Sequence, residues 1–249
     1  LNLGESTYFN EPVLGLIIER LFATVLLAGT SLIFAVGVGV AIGVYTARRP
    51  ESPMSSAATV ASLVGFSTPV FYSAIMFIVV FAAKWRLLPV GGIEDVRYDG
   101  NWVGETIDLL QHLVLPALSL GIIYLAIYSR LARASMLEVL ESDYIRTARA
   151  KGARERVVVY KHALRNAIIP VVTAAGLQVG NLLSGALLVE VVFAWPGIGR
   201  LAVDSIFRRD SPTLLGIMIF SSAMVIVANL LTDLVYRIID PRIRVGGSR

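Results

Sequence analysis

The sequence contains an uncharged, apolar run over residues 21–45, and this run restricts the fold more than any other feature. Crossing the hydrocarbon layer of a bilayer takes about 20 apolar residues in an α-helix, because each residue advances the helix by about 1.5 Å. Core helices of soluble domains rarely contain so long a stretch without a charge. The run therefore predicts a membrane-spanning helix.

Four further uncharged runs follow, over residues 60–83, 109–129, 167–189 and 213–232. Charged residues make up only 16% of the chain, whereas a soluble domain has about a quarter. We therefore predict an all-α, polytopic membrane helix bundle with five spans, formed by residues 1–249 as a single domain. Pro69 predicts a kink in the second run, relieved by the hydroxyls of Ser67 and Thr68, and Pro116 predicts an irregular or kinked start of the third.

The charged residues alternate in sign between successive connecting segments. Lys and Arg gather at residues 48–49, 130–165 and 242–249, while acidic residues gather at 5–11 and 94–108. Because positively charged loops stay in the cytoplasm, this pattern predicts a multi-pass protein with a cytoplasmic C-terminus. Residue 1 would then lie outside, yet the chain has neither an initiator Met nor an export signal, so we expect a sixth, N-terminal span to precede it.

Small residues at four-residue spacing predict two faces where helices approach closely. One consists of Gly39 and Gly43, and the other of Gly176, Gly180 and Ser184. The second helix also carries the polar residues Gln178, Asn181 and Ser184. Polar side chains at this depth either line a translocation pathway or form hydrogen bonds between helices, and the sequence leaves both alternatives open.

The basic segment 130–166 is predicted to be a cytoplasmic loop that contains a short helix. Asp143 is expected to cap a helix over residues 144–151, and Gly152 to end it. Tyr144, Ile145 and Ala148 place apolar or small groups on one side of this helix. Such a side fits the groove of a partner protein or the headgroups of anionic lipids.

Several stretches resemble the B-type permease subunits of dipeptide, oligopeptide and nickel importers, a branch of the ABC importers. They are DYIRTARAKG at 143–152, HALRNAIIPVVT at 162–173, the segment 176–201 and DPRIR at 240–244. The generic loop motif of ABC importer permeases is matched at Ala148, Gly152 and Leu164. It is not matched at four further motif positions, namely Arg146, Thr147, His162 and Arg165.

The resemblance implies a transport subunit in the bilayer of the bacterial cytoplasmic membrane, with six spans in the whole protein. Its implied partners are a C-type permease subunit, two ATP-binding subunits and an extracytoplasmic solute-binding protein. The helix at 144–151 would be the coupling helix that contacts an ATP-binding subunit, through Tyr144, Ile145, Arg146, Ala148, Arg149 and Gly152. The implied cargo is a peptide, with nickel or another small solute as the alternative.

The chain itself is predicted to be neither an enzyme nor a cofactor protein. The sequence lacks the Gly-Lys pair of a Walker A phosphate loop, so ATP and Mg would act on the partner subunits. It has no cysteine, and its two histidines, His112 and His162, lie outside the centres of the runs; no catalytic or metal site is expected. An ATP-independent transporter or an intramembrane enzyme remains the alternative class. The basic loops are unlike a nucleic-acid-binding face.

Overall fold

The computed structural model describes residues 3–95 and 101–239, and the side chains of 179–185, 231, 233 and 235–239 lie outside the description. In the described residues, the regular secondary structure is helical, apart from an isolated β-bridge between Glu5 and Pro12. The helices are α1 Val13–Arg48, α2 Pro53–Ser67, α3 Val70–Phe77 with a π-helical continuation Ile78–Lys84, α4 Trp102–Leu140, α5 Asp143–Ala150, α6 Glu155–Val157 with a π-helical continuation Val158–Ala163, α7 Leu164–Ala167, α8 Ile169–Val192, α9 Ile198–Phe207 and α10 Ser211–Ile239.

Helices α1 and α4 form the centre of the bundle and run parallel. Gly39 of α1 lies against Tyr128 of α4, and Gly43, one turn further along, lies against Ala132. A Cβ atom placed on Gly43 would stand 2.6 Å from the Ala132 Cβ. The prediction that Gly39 and Gly43 mediate close helix packing is therefore confirmed, because only glycine leaves room for this approach.

Only one of the two prolines bends its helix as predicted. Helices α2 and α3 meet at Pro69 with a bend of 108°, so the predicted kink is present and is large enough for the pair to form either a broken span or a re-entrant loop. The Thr68 hydroxyl donates to the Val64 carbonyl at 2.7 Å, as predicted. The irregular start predicted at Pro116 is wrong: α4 passes through this residue without interruption, because the helix already begins at Trp102, where the Asn101 side chain accepts a hydrogen bond from Gly104 N–H at 3.1 Å.

The described helices are of membrane type. Among residues 3–95 and 101–239, three helical stretches are long and apolar enough to cross a membrane: Val13–Arg48, Trp102–Leu140 and Ser211–Leu230. The bent pair Pro53–Ser67 and Val70–Lys84 would make a fourth crossing if it is one span. The remaining predicted run, 167–189, corresponds to α8 Ile169–Val192, whose side chains over residues 179–185 lie outside the description.

The connecting segments meet in two groups, as their charges predict. At what we call the acidic-loop end, Thr7 N–H donates to Asp210 at 3.1 Å and Gly92 N–H donates to the Phe193 carbonyl at 2.8 Å. At the basic-loop end, the end of α1 packs against α5 and the π-helical segment that follows α6. Segments predicted to lie on the same side of the membrane thus contact one another.

Candidate functional site

Helix α5, the predicted coupling helix, lies at the basic-loop end. Ser142 and not Asp143 holds the N-cap position, and no side chain caps the helix there. Asp143 instead occupies the first turn of the helix, where its negative carboxylate interacts favourably with the positive end of the helix dipole. Gly152 ends the helix as predicted: its φ is +76°, and Ala153 N–H and Gly152 N–H donate to the carbonyls of Ala148 and Arg149 at 3.2 and 2.9 Å, which is the Schellman arrangement.

The apolar side of α5 faces the protein's own core. Ile145 is 0% exposed. Its side chain belongs to a cluster with residues of α1, α4, α7 and the π-helical segment that follows α6, namely Val44, Ala47, Met136, Val158, Val159, Ala163 and Ala167. Ala148 packs against the same cluster. The expectation that this side enters a partner's groove or a lipid headgroup layer is therefore wrong for Ile145, because the fold itself supplies its apolar contacts, whereas Ala148 is only partly buried and its predicted contact stays a prediction.

Two polar contacts hold the ends of α5. Asn166 Nδ2 of α7 donates to the Tyr144 hydroxyl at 2.8 Å, and Arg149 Nη2 forms an ion pair with Glu155 Oε1 at 3.0 Å. The hydrogen bond from Arg149, with its positive charge, holds the pKa of the Glu155 carboxyl below its usual value. Asn166 and Glu155 were missed by the sequence reasoning, because neither lies within the helix on which the motif is centred.

The side of α5 that remains available to a partner carries mostly polar groups. Arg146 and Thr147 are exposed, as are Ala150 and Lys151. Arg146 Nη1 lies 3.6 Å from Asp143 Oδ1, with both side chains largely in solvent. Tyr144, 43% exposed, is the large apolar group at the edge of this surface, which we call the outward surface of α5.

The predicted pathway and packing residues of α8 are described only in part. Gln178 is half-buried. The surroundings of Gly180 and the side chains of Asn181 and Ser184 lie outside what the structure describes. Gly176 packs against α10 as predicted: a Cβ there would stand 2.5 Å from Thr232 Cγ2. The Thr232 hydroxyl also donates to the Gly176 carbonyl at 2.9 Å.

Glu190, near the C-terminal end of α8, binds the segment that leads into α9. Its side chain is 0% exposed, and it accepts hydrogen bonds from the Thr24 hydroxyl at 2.7 Å and from Arg200 N–H at 3.1 Å. Thr24 accepts in turn from Ile198 N–H at 2.8 Å. The carboxyl group thus completes the N-terminus of α9, a helix that lies outside the five predicted runs.

Trp195, in the segment between α8 and α9, also contacts α1. It is 0% exposed, and its Nε1 donates to the Ala23 carbonyl of α1 at 2.8 Å. Together with Glu190 it joins the start of α9 to α1, so these elements form one packed unit at the acidic-loop end.

Comparison with known proteins identifies the family. Residues 39–245 match the family described as binding-protein-dependent transport system inner membrane component. The chain belongs to this family. Among curated relatives of the permease, the dipeptide transport system permease protein DppB of Escherichia coli (strain K12) is 43% identical over 98% of this chain and 77% of its own length. The oligopeptide transport system permease protein AppB of Bacillus subtilis (strain 168) is 41% identical over 93% of this chain and 72% of its own length.

Solved structures support the fold of the permease. A chain of the MetNI methionine ABC transporter in an inward-facing conformation has a TM-score of 0.70 and 16% identity, covering 91% of this chain and 97% of that chain. A chain of an amino acid ABC transporter has a TM-score of 0.67 and 17% identity, covering 90% and 94%. At this level of identity the likeness establishes the fold alone, which is that of ABC transporter membrane subunits.

Asp210 joins the segment before α1 to the start of α10, and the permease is expected to lose this link in acid. Burial acts to raise the pKa of the Asp210 carboxyl, but hydrogen bonds donated by Ser6, Thr213 and Thr7 outweigh it and hold the pKa below its usual value. The stabilisation is therefore present above the ordinary aspartate pKa of about 3.9 and is lost as the pH falls through the lower, folded value.

Thermal unfolding in detergent at a series of pH values checks this expectation. The melting temperature of the wild-type permease should fall below about pH 4, more steeply than that of Asp210→Asn. The variant should already be less stable at pH 7, because its amide presents a donor to hydroxyls that donate. Glu11→Gln, at an exposed position of the same segment, is the control, and an Asp210→Asn profile parallel to that of the wild type would contradict the assignment.

Proposed function

We propose that this chain is the permease subunit of an ABC importer that moves di- or oligopeptides across the bacterial cytoplasmic membrane. The observation that carries the proposal is the match over 98% of the chain to a dipeptide transport system permease. The oligopeptide permease similar over 93% of the chain supports the same cargo class. Uptake of a labelled dipeptide by the reconstituted importer, compared with uptake of Ni²⁺, tests the cargo: transport of nickel without transport of peptide would contradict it.

The complete importer contains a C-type permease subunit, two ATP-binding subunits and an extracytoplasmic solute-binding protein. In this arrangement the present chain crosses the membrane five times, with the basic-loop end and the C-terminus in the cytoplasm. The clustering of Arg48 with α5 and the segment 151–168 at one end supports the orientation, because it gathers positive charge on one side. ATP and Mg²⁺ act on the partner subunits.

Helix α5 transmits the movement of an ATP-binding subunit into the membrane. Its outward surface contacts that subunit, while Ile145, buried between α1, α4, α7 and the π-helical segment, holds the helix to the bundle. A packed interface of this kind moves as a rigid body. Displacement of α5 therefore displaces α7 and α8, and α8 carries Gln178 and, further along, Asn181 and Ser184, the proposed pathway residues.

A double substitution on the outward surface of α5 tests this contact. Thr147→Glu with Ala150→Glu places two charges where the partner would dock, and we expect the ATP-binding subunits to be lost when the tagged permease is purified in detergent. Neither side chain contributes to the buried cluster around Ile145, so the permease itself should remain folded.

The matched control is Ser56→Glu with Ala57→Glu, an exposed pair near the N-terminus of α2, where negative charge interacts favourably with the helix dipole. This control should retain the ATP-binding subunits. If the α5 variant also retains them in the wild-type ratio, α5 is not the docking element.

A further inference from the structure

Two side chains outside the buried cluster join α5 directly to α7. Asn166 Nδ2 donates to the Tyr144 hydroxyl at 2.8 Å, and the same hydroxyl donates to the His162 carbonyl oxygen at 3.5 Å. Tyr144 is in the first turn of α5, and Asn166 is in α7, which ends at Ala167. Because α8 begins at Ile169, this hydrogen bond connects α5 to the base of a long helix of the bundle.

The other contacts of α5 do not provide the same connection. The contact of Ile145 with its cluster is apolar, and apolar contact is not directional, so it resists separation of the surfaces better than rotation of α5 about its own axis. The ion pair of Arg149 leads to Glu155 of α6 and not to α7. A hydrogen bond requires a defined distance and angle, and the bond between Tyr144 and Asn166 therefore sets the rotation of α5 relative to α7.

We propose that the hydrogen bond between Tyr144 and Asn166 fixes the rotation of α5 relative to α7, so that rotation of α5, as well as its translation, is passed on to α8; both are then positioning residues for energy coupling. This inference rests on the proposed docking of an ATP-binding subunit on α5. Both side chains are exposed, so the bond contributes little to folding compared with the buried cluster. Its loss should therefore leave the importer assembled while reducing the transport obtained from each ATP hydrolysed.

Coupling is measured as peptide imported per ATP hydrolysed by the whole importer in proteoliposomes, with the solute-binding protein present. Tyr144→Phe and Asn166→Ala should each lower this ratio by about 3- to 10-fold, the range that one hydrogen bond supports. The double variant should lower it no further than Tyr144→Phe does, because removing the Asn166 amide has no additional effect once its hydroxyl partner is gone. Tyr160→Phe is the control: this tyrosine is exposed in the same loop, and its ring lies 5.9 Å from the Arg48 guanidinium.

A rescue variant separates coupling from simple loss of a side chain. In Asn166→Asp, the carboxylate accepts a hydrogen bond from the Tyr144 hydroxyl, so the ratio should return towards that of the wild type. The same substitution combined with Tyr144→Phe should give no rescue, because the phenyl ring has no donor. A purely structural role of Asn166 would not make the effect of the aspartate depend on one hydroxyl group.

Three results would overturn the inference: an unchanged ratio in assembled importers, effects of the two single variants that multiply in the double variant, or loss of the ATP-binding subunits from Tyr144→Phe. The last result would mean that the hydroxyl serves docking and not transmission. The variant Thr147→Glu with Ala150→Glu separates the two proposals. If it keeps the ATP-binding subunits, the docking proposal fails; if it loses them while the coupling ratio of Tyr144→Phe is unchanged, only the present inference fails.

Discussion

Glu190→Ala is expected to lower the stability of the permease by about 3 kcal/mol or more, because each buried polar group left without its partner costs about 1–3 kcal/mol. The substitution removes the acceptor of the Thr24 hydroxyl and of Arg200 N–H. It also leaves a cavity beside Gly197, since a Cβ placed on Gly197 would overlap the Glu190 carboxyl carbon. The measurement is the melting temperature of the purified permease in detergent, followed by intrinsic tryptophan fluorescence.

The matched control for Glu190→Ala is Glu19→Ala, since Glu19 is an exposed glutamate of α1. This control should melt close to the wild-type temperature, because substitutions at exposed positions without specific contacts usually change stability little. Glu190→Gln should fall between the two, because the amide oxygen can still accept one hydrogen bond while its nitrogen cannot. A wild-type melting temperature for Glu190→Ala would show that the start of α9 does not depend on this carboxyl group.

Gly43→Ala is expected to destabilise the permease by about 1–3 kcal/mol, the usual cost of overpacking a well-packed core. The added Cβ would stand 2.6 Å from the Ala132 Cβ and 2.7 Å from the Ser129 carbonyl oxygen. Backbone atoms of α4 cannot move aside as a flexible side chain can, so α1 and α4 must separate. Because these two helices form the centre of the bundle, the change should also lower the yield of folded protein.

Gly37→Ala is the matched control on the same helix. Gly37 has no atom within 4 Å of an added Cβ, so the substitution should be neutral or should stabilise α1 by about 0.5–1 kcal/mol through helix propensity. The two glycine-to-alanine changes are thus expected to have opposite signs. Equal melting temperatures would contradict the close contact of α1 with α4 at Gly43.

The elements that could be predicted from the sequence are those that depend on local properties. The apolar runs predict the positions of α1, α2 with α3, α4, α8 and α10, although each helix extends beyond its run. Helix α1, with 36 residues, measures about 54 Å at 1.5 Å per residue. The hydrocarbon layer is only about 30 Å thick, so the ends of the helix extend beyond it. These ends contain charged residues, and the uncharged run therefore predicts a shorter helix than the one observed.

In the candidate site, the local sequence pattern predicted the end of α5 but not the contacts of its side chains. Gly152 was predicted to end α5 because a left-handed backbone conformation favours glycine, and its φ of +76° agrees. The role expected for Ile145 was wrong, because a periodic pattern identifies an apolar side of a helix without identifying what that side contacts. Asn166 went unnoticed for the same reason: its partner, Tyr144, is 22 residues away in the chain.

The sequence by itself determined the membrane class, the helices that contain the apolar runs, the family resemblance and the grouping of the basic and acidic loops. All of these follow from composition, run length and motif, which need no knowledge of distant contacts. Only the tertiary structure decided that Ile145 is buried within the chain, that the bend at Pro69 amounts to 108° and that Glu190 completes the start of α9 through Thr24. These features depend on contacts between residues that are far apart in the chain, because such contacts determine which side chains are buried and which groups form hydrogen bonds.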